Sequence, residues 1–308
     1  MKNPLVTVIM PCFNEPESYL RCAADSILSQ TYKSLELLII LDNPSNEKLK
    51  KIGGELEEND SRVTFVINPK NLKLTKTLNR GLCLAKGDII ARLDSDDIAL
   101  PTRIERQMEL IDKYDLISTN FAFINEDGNI IRHRSFPSES EEINNFLVHN
   151  ADCMYHTTWL GKKSLFKDLG GYREIGPFED YDFLLRAMLQ GKKLYNCKEE
   201  LNLYRVNHNG ISYQHKLLQH LGSEYIRENY RNINQIEKSD IDTYISSFIG
   251  IKHAEQYKKF CRFTSKFYSS SNILQYYAQL LIYGPYLALF NYYGRRKLLL
   301  RSKKFFDK

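Results

Sequence analysis

The chain has 308 residues, 43% of them hydrophobic and 26% charged. That balance excludes a disordered chain, a collagen and a polytopic membrane protein. A chain this long buries enough apolar surface to need no disulfide staple. Its six cysteines (Cys12, Cys22, Cys83, Cys153, Cys197, Cys261) contain no C-x-x-C pair. A zinc ribbon or redox motif is thereby disfavoured, and a reducing, cytoplasmic compartment is expected. The formal charge is +5, yet residues 291–308 alone carry +6, which leaves −1 for residues 1–290. A surface that coats nucleic acid is disfavoured, while a local anionic target such as a membrane face fits the tail.

Nothing at the start, MKNPLVTVIMPCFNE, resembles a cleavable signal. The first hundred residues alternate two periods. Short Val- and Ile-rich runs at Leu5–Met10, Leu35–Leu41, Val63–Ile67 and Ile89–Leu93 read as buried parallel strands. Tyr19, Ala23 and Ile27 with Leu20, Ala24 and Leu28 form a helical stripe, as do Leu74, Leu78, Leu82 and Ala85. Strand–helix alternation predicts an α/β fold with a mainly parallel sheet and right-handed crossovers. Such sheets bind ligands beyond the carboxyl ends of their strands.

From residue 115 the rhythm loosens. Leu116–Phe123, a Glu126-Asp127-Gly128-Asn129 turn and Ile130–His133 read as a hairpin. Helices are expected near 139–149, 162–169 and 179–190, and short strands near 193–196 and 201–206. Residues 1–212 are read as the sheet domain and 213–308 as a helical C-terminal region. Phe267–Gly294 contains no charged residue but four Tyr, two Gln, a Gly and a Pro in its core. It is too polar for a convincing membrane span. A Tyr-rich segment beside a Lys/Arg cluster fits an interfacial helix, or else an ordinary packing or dimer surface.

Four polar clusters follow expected strands or open a helix. Asp94-Ser95-Asp96-Asp97 carries three carboxylates in four residues. Their mutual repulsion calls for a cation or a hydrogen-bond network. Oxygen ligands alone point to Mg²⁺ or Mn²⁺, with a solvated acidic loop as the plain alternative. Asp42-Asn43 is either a turn or a nucleoside contact. Pro11-Cys12-Phe13-Asn14-Glu15 either caps the next helix or lines a pocket. Glu179-Asp180 is either a favourable first helical turn or a general base.

Taken together, P-C-F-N-E, I-I-L-D-N, A-R-L-D-S-D-D-I-A-L-P-x-R, G-G-Y-R, E-D-Y-D-F-L-L-R and Y-R-V-N-H resemble a family 2 inverting glycosyltransferase of GT-A fold. The likeness spans about residues 4–212 and leans towards bacterial enzymes of capsule, O-antigen or lipooligosaccharide synthesis. It implies that Pro11, Cys12, Phe13, Asn14, Glu15, Asp42, Asn43, Asp94, Ser95 and Arg205 bind a nucleotide-sugar, UDP by family habit. It implies that Asp96, with Asp94 and His208, holds Mn²⁺ or Mg²⁺. Asp180 would take the acceptor proton, with Glu179 shaping the acceptor site. The implied acceptor is a glycan or lipid-linked oligosaccharide at the inner face of the cell membrane. Two departures bear on the donor: Asn43-Pro44 where relatives carry a second acid, and no Arg at the usual phosphate-facing place, where Lys76 or Arg80 could substitute. His156 precedes Thr157 rather than the usual Pro, and its role is open.

Overall fold

The computed structural model describes residues 3–207 and 216–248. Four parallel strands come first: β1 Val6–Cys12, β2 Leu35–Leu41, β3 Val63–Ile67 and β4 Ile89–Arg92. They stand in the order β3-β2-β1-β4. β1 and β2 are buried at every position, as strands covered by helices on both faces must be. The crossovers are α1 (Glu17–Leu28), α2 (Glu47–Asn59) and α3 (Lys73–Leu84). A Cβ at Gly81 would lie 2.7 Å from Ile9 Cγ2, so only glycine lets α3 lie this close to β1.

β5 (Ile98–Ala99) and α4 (Arg103–Met108) follow the acidic run. Next come β6 (Leu116–Ile124), β7 (Ile130–Arg134), α5 (Ser140–His149), β8 (Leu160–Lys162), α6 (Lys163–Asp168), α7 (Glu179–Leu189) and β9 (Leu194–Arg205). Past β4 the sheet continues β8-β6-β9-β5. β8 pairs antiparallel with both β4 and β6, so β6 points the same way as β1 and β4. β9 lies parallel to β6. The carboxyl ends of β1, β2, β4, β6 and β9 therefore share one edge of the sheet.

The expected hairpin is β6–β7, paired from Phe121↔Arg134 to Ile124↔Ile130. The three expected helices are α5, α6 and α7. Two expectations need correction. The two short strands near 193–196 and 201–206 are one strand, β9. Its register slips where Thr119 pairs Cys197 and Asn120 pairs Glu200. The Asn120 side chain bonds the Lys198 carbonyl across the bulge at 2.9 Å. The polar Lys198-Glu199-Glu200 run read as a break, whereas a bulge lets it stay in the ladder. Likewise β1 runs through Pro11 and Cys12, which lie inside the strand rather than after it.

After residue 207 the described chain is helical: α8 (Lys216–Glu228), a 3-10 segment (Tyr230–Gln235) and α9 (Lys238–Phe248). The chain divides into compact units at 1–241 and 242–308. Of the second unit, only residues 242–248, the end of α9, are described. The charge-free segment 267–294, the basic tail and His208 lie outside the described residues.

Candidate active site

The first two loops are joined by amides. Asn43 Nδ2 donates to Asn14 Oδ1 at 2.6 Å, and Asn46 Nδ2 reaches the same oxygen at 3.2 Å. Asn46 also caps α2 through Oδ1 and the Leu49 N–H. Asp42 is buried; its Oδ1 accepts from Asn68 Nδ2 and from the Leu72 N–H, both at 2.7 Å. Cys12 is buried and donates weakly to the Ile40 carbonyl. Phe13 is 39% exposed at the mouth of this corner. Arg80 bonds the side chain of Asn68 and the Ile67 carbonyl, and Lys76 pairs with Glu174 at 3.1 Å. Both candidate phosphate-facing cations thus have protein partners.

The acidic run after β4 forms a tight turn, with the Asp97 N–H on the Asp94 carbonyl at 3.1 Å. Asp94 Oδ1 accepts from the Arg92 guanidinium at 2.6 Å, and the Asp94 N–H donates to Thr157 Oγ1 at 2.9 Å. Asp96 Oδ2 accepts from Asn207 Nδ2 at 3.0 Å. Burial, then the charge of Asp94, pushes the Asp96 carboxyl up to about 6. Asp97 is sealed beneath, its Oδ1 held by the Arg205 N–H at 2.8 Å. Burial drives its carboxyl well above the ordinary range. Arg103, fully buried, donates to the Arg92 and Thr157 carbonyls at 3.0 Å and so supports the turn from below.

Arg205 is also buried. Its Nε donates to the Asp96 carbonyl at 2.9 Å. Its Nη1 donates to the Asn125 and Glu126 carbonyls of the hairpin turn at 3.0 and 2.8 Å. The guanidinium also lies 4.1 Å from the ring centre of Tyr19.

Glu179 and Asp180 open α7. Burial, then the charge of Asp180, raises the Glu179 carboxyl to about 8. Asp180 is raised chiefly by burial, and its Oδ1 accepts the Tyr181 N–H at 2.7 Å. Asp152, on the loop after α5, is pushed well up by burial and then by Asp180. The helix start is fixed from behind. Asp182, wholly buried, binds Arg173 and Arg186, the latter at 2.8 Å.

The negative charge of Asp94 raises Glu15, Asp96, Asp97, Glu179 and Asp180 alike. The β1 loop, the acidic turn and the start of α7 therefore meet in one electrostatic neighbourhood. Arg92, 5% exposed, is the cation acting on Asp94, Glu179 and Asp180 together. Arg92, Asp152 and Asn207 took no part in the sequence-based site. Arg92 had a signal, since a charged residue in an otherwise apolar strand needs a partner; Asp152 had none. His156 is a core side chain, bonded to the Tyr172 hydroxyl at 2.8 Å and kept neutral by burial and Arg92. Among the described residues no three His, Cys, Asp or Glu side chains stand together as a ready metal cage.

The sheet thus carries an aspartate-rich turn beyond a central strand and a second acidic pair at the start of α7 within reach of its charge. The family profile described as "Glycosyl transferase family 2" matches residues 7–170. A glycosyltransferase of Methanocaldococcus jannaschii is 35% identical over 212 residues, 67% of this chain and 72% of that protein. The putative glycosyltransferase EpsE of Bacillus subtilis is 32% identical, covering 69% and 76%. The O-antigen biosynthesis glycosyltransferase WbnJ of Escherichia coli is 32% identical, covering 66% and 80%. The S. aureus TarS 1–349 structure aligns with 92% of this chain and 80% of its own, with TM-score 0.57 at 16% identity, which speaks for the fold. The chain belongs to glycosyl transferase family 2 and has a GT-A-type fold.

Proposed function

We propose that this glycosyltransferase moves one hexosyl or N-acetylhexosaminyl unit from a nucleotide-diphosphate sugar, UDP favoured, to a hydroxyl of a glycan or lipid-linked oligosaccharide, with inversion. The observation that carries the reading is the family 2 match over residues 7–170, which takes in the acidic turn where Asp94 Oδ1 receives the Arg92 guanidinium and Asp96 Oδ2 the Asn207 amide. In this reading the Asn14–Asn43–Asp42 corner receives the nucleoside, and Asp180 accepts the proton of the attacking hydroxyl. The oxygen attacks the anomeric carbon from the face opposite the nucleotide. The sugar–phosphate bond breaks and the diphosphate leaves as an anion, so no acid is required on that side. Glu179, raised to about 8, holds its proton at neutral pH, and Asp152 is pushed in the same direction by burial and then by Asp180; Asp180 is the proposed base of the group.

The donor set fits a hard divalent cation. Asp94 and Asp96 offer carboxylate oxygens, and Asp96 is raised by burial and then by the charge of Asp94. Mn²⁺ or Mg²⁺ held there, with His208 as a further ligand, would supply positive charge opposite the departing diphosphate. Relatives named for O-antigen and amylovoran synthesis support a surface-glycan acceptor. No helix among the described residues is long and apolar enough to cross a membrane. Peripheral attachment to the inner face of a bacterial membrane through the basic tail completes the proposal.

Thermal unfolding with UDP-, GDP- and dTDP-sugars, with and without Mn²⁺, tests it, because a ligand selective for the native state raises the midpoint. One nucleotide class stabilises the wild type only with the metal. Asp96→Ala loses that response. Asp180→Asn keeps it and loses transfer. Absence of any nucleotide response in the wild type refutes the reading.

A further inference from the structure

An open cavity of about 260 Å³ lies between α5 and the segment that joins β7 to it, lined by Pro137, Glu142, Asn145, Phe146 and Asn150. It falls below the roughly 300–1,000 Å³ of sites for drug-sized ligands, so it suits a single ring rather than a nucleotide. Its floor is apolar, Pro137 and the half-buried Phe146, and its rim carries two amides and a carboxylate. A pyranose has that complement: a C–H face to lay on an aromatic ring, and hydroxyls at its edge for amides and carboxylates.

Two features tie this cavity to the acidic site. Asn150 stands two residues before Asp152, whose buried carboxyl is raised further by the charge of Asp180. The intervening loop is pinned: Arg227 Nη1 donates to the Asn150 carbonyl at 2.9 Å, Asn196 Nδ2 to Cys153 at 2.9 Å, and Trp159 Nε1 to Met154 at 2.7 Å. On the other side runs a file of half-buried rings. Phe146 meets Phe136 at 6.5 Å, Phe136 meets Tyr155 at 5.4 Å, and Tyr155 meets Tyr204 at 5.6 Å between centres. Tyr204 lies three residues before Asn207, the partner of Asp96.

We propose that the cavity on α5 is a subsite for a sugar of the acceptor glycan remote from the hydroxyl that is attacked. The inference rests on the transferase reading above and assigns it an oligosaccharide acceptor rather than a single sugar. Binding held away from the reacting atoms places the hydroxyl at Asp180 and makes recognition depend on chain length.

The probe is an array of immobilised bacterial-polysaccharide oligosaccharides of one to eight sugars, read with the full chain and no donor. Wild type retains members of three or more sugars and not the monosaccharides. Asn145→Trp, at an exposed position where an indole fills the cavity without touching the core, lowers retention by at least about tenfold. Asn145→Ala lowers it less. Both variants keep the metal-dependent nucleotide stabilisation of the wild type. Equal retention by wild type and Asn145→Trp, or no retention by wild type while that stabilisation is intact, overturns the subsite and leaves the transferase reading standing. Loss of nucleotide stabilisation in the wild type itself overturns the transferase reading instead.

Discussion

Arg205 holds Asp96 by its main chain: Nε donates to the Asp96 carbonyl at 2.9 Å, while the Arg205 N–H takes the neighbouring Asp97 carboxylate at 2.8 Å. The same guanidinium reaches the hairpin turn at Asn125 and Glu126. The end of β9 thus fixes the direction in which the acidic turn presents its side chains. The family resemblance gave Arg205 to the nucleotide-sugar. Its observed partners make it a support for the residues proposed to do that work.

Arg205→Ala leaves the Asp96, Asn125 and Glu126 carbonyls without their guanidinium partner, while the main-chain N–H at this position still holds the Asp97 carboxylate. Charge-assisted hydrogen bonds are each worth roughly 1.5–3 kcal/mol, and the loss is expected to be about 2–4 kcal/mol in urea denaturation. Metal-dependent nucleotide stabilisation falls with it. Arg205→Lys recovers part of the stability, since one ammonium cannot span both turns. A variant as stable as the wild type would show that the clamp is not needed.

Asp180 and Asp182 share one motif and one helical turn but not one task. Asp182 is wholly buried between Arg173 and Arg186. Asp182→Ala strands two guanidinium groups and costs about 3–5 kcal/mol, the range for breaking a buried ion pair from one side. Asp180 is half-buried and its Oδ1 takes the Tyr181 N–H, a bond that an Asn Oδ1 also accepts, so Asp180→Asn is expected to cost less than about 1 kcal/mol. Chemical denaturation of the two variants side by side separates the roles; equal losses would contradict them.

The parallel half of the fold was legible because β1 and β2 are apolar throughout and the helices between them carry clean stripes. Asp94, Asp96, Glu179 and Asp180 were legible as carboxylates placed where a sheet binds ligands. The rest depended on contacts far apart in the chain. Arg205 and Asn207 meet the acidic turn from over a hundred residues away. Asp152 sits in a loop with no periodicity, and becomes notable only when α7 is packed against it. The continuity of β9 was hidden because its bulge is charged, and a charged run reads as a turn until its partner strand is known.

Stability should fall as pH rises. Glu179 is raised to about 8 and Asp96 to about 6, with Asp97, Asp152 and Asp180 raised as well. A carboxyl held higher in the folded than in the unfolded chain binds the extra proton in the folded state. Its contribution is complete below the unfolded value, about 4, and is lost as pH climbs through the folded one. Without divalent cations, the denaturation midpoint therefore declines between about pH 5 and 8. Glu179→Gln, which mimics the protonated acid, flattens the upper part of that decline. A profile unchanged by the substitution would place the titration elsewhere.

The same acids differ in which of them must be ionised for transfer. Glu179, raised to about 8, holds its proton at neutral pH, and burial pushes Asp152 in the same direction; Glu179→Gln and Asp152→Asn replace each by a neutral group of the same shape. Both variants are expected to keep transfer at pH 7 within about tenfold, with the donor, metal and acceptor of the wild type. Asp180→Asn removes the proposed general base, and loss of such a base costs about 10²–10⁴-fold. Single-turnover rates for the three variants decide the matter. If Glu179→Gln loses as much as Asp180→Asn, the proton acceptor is the pair acting as a unit, and the base cannot be assigned to Asp180 alone.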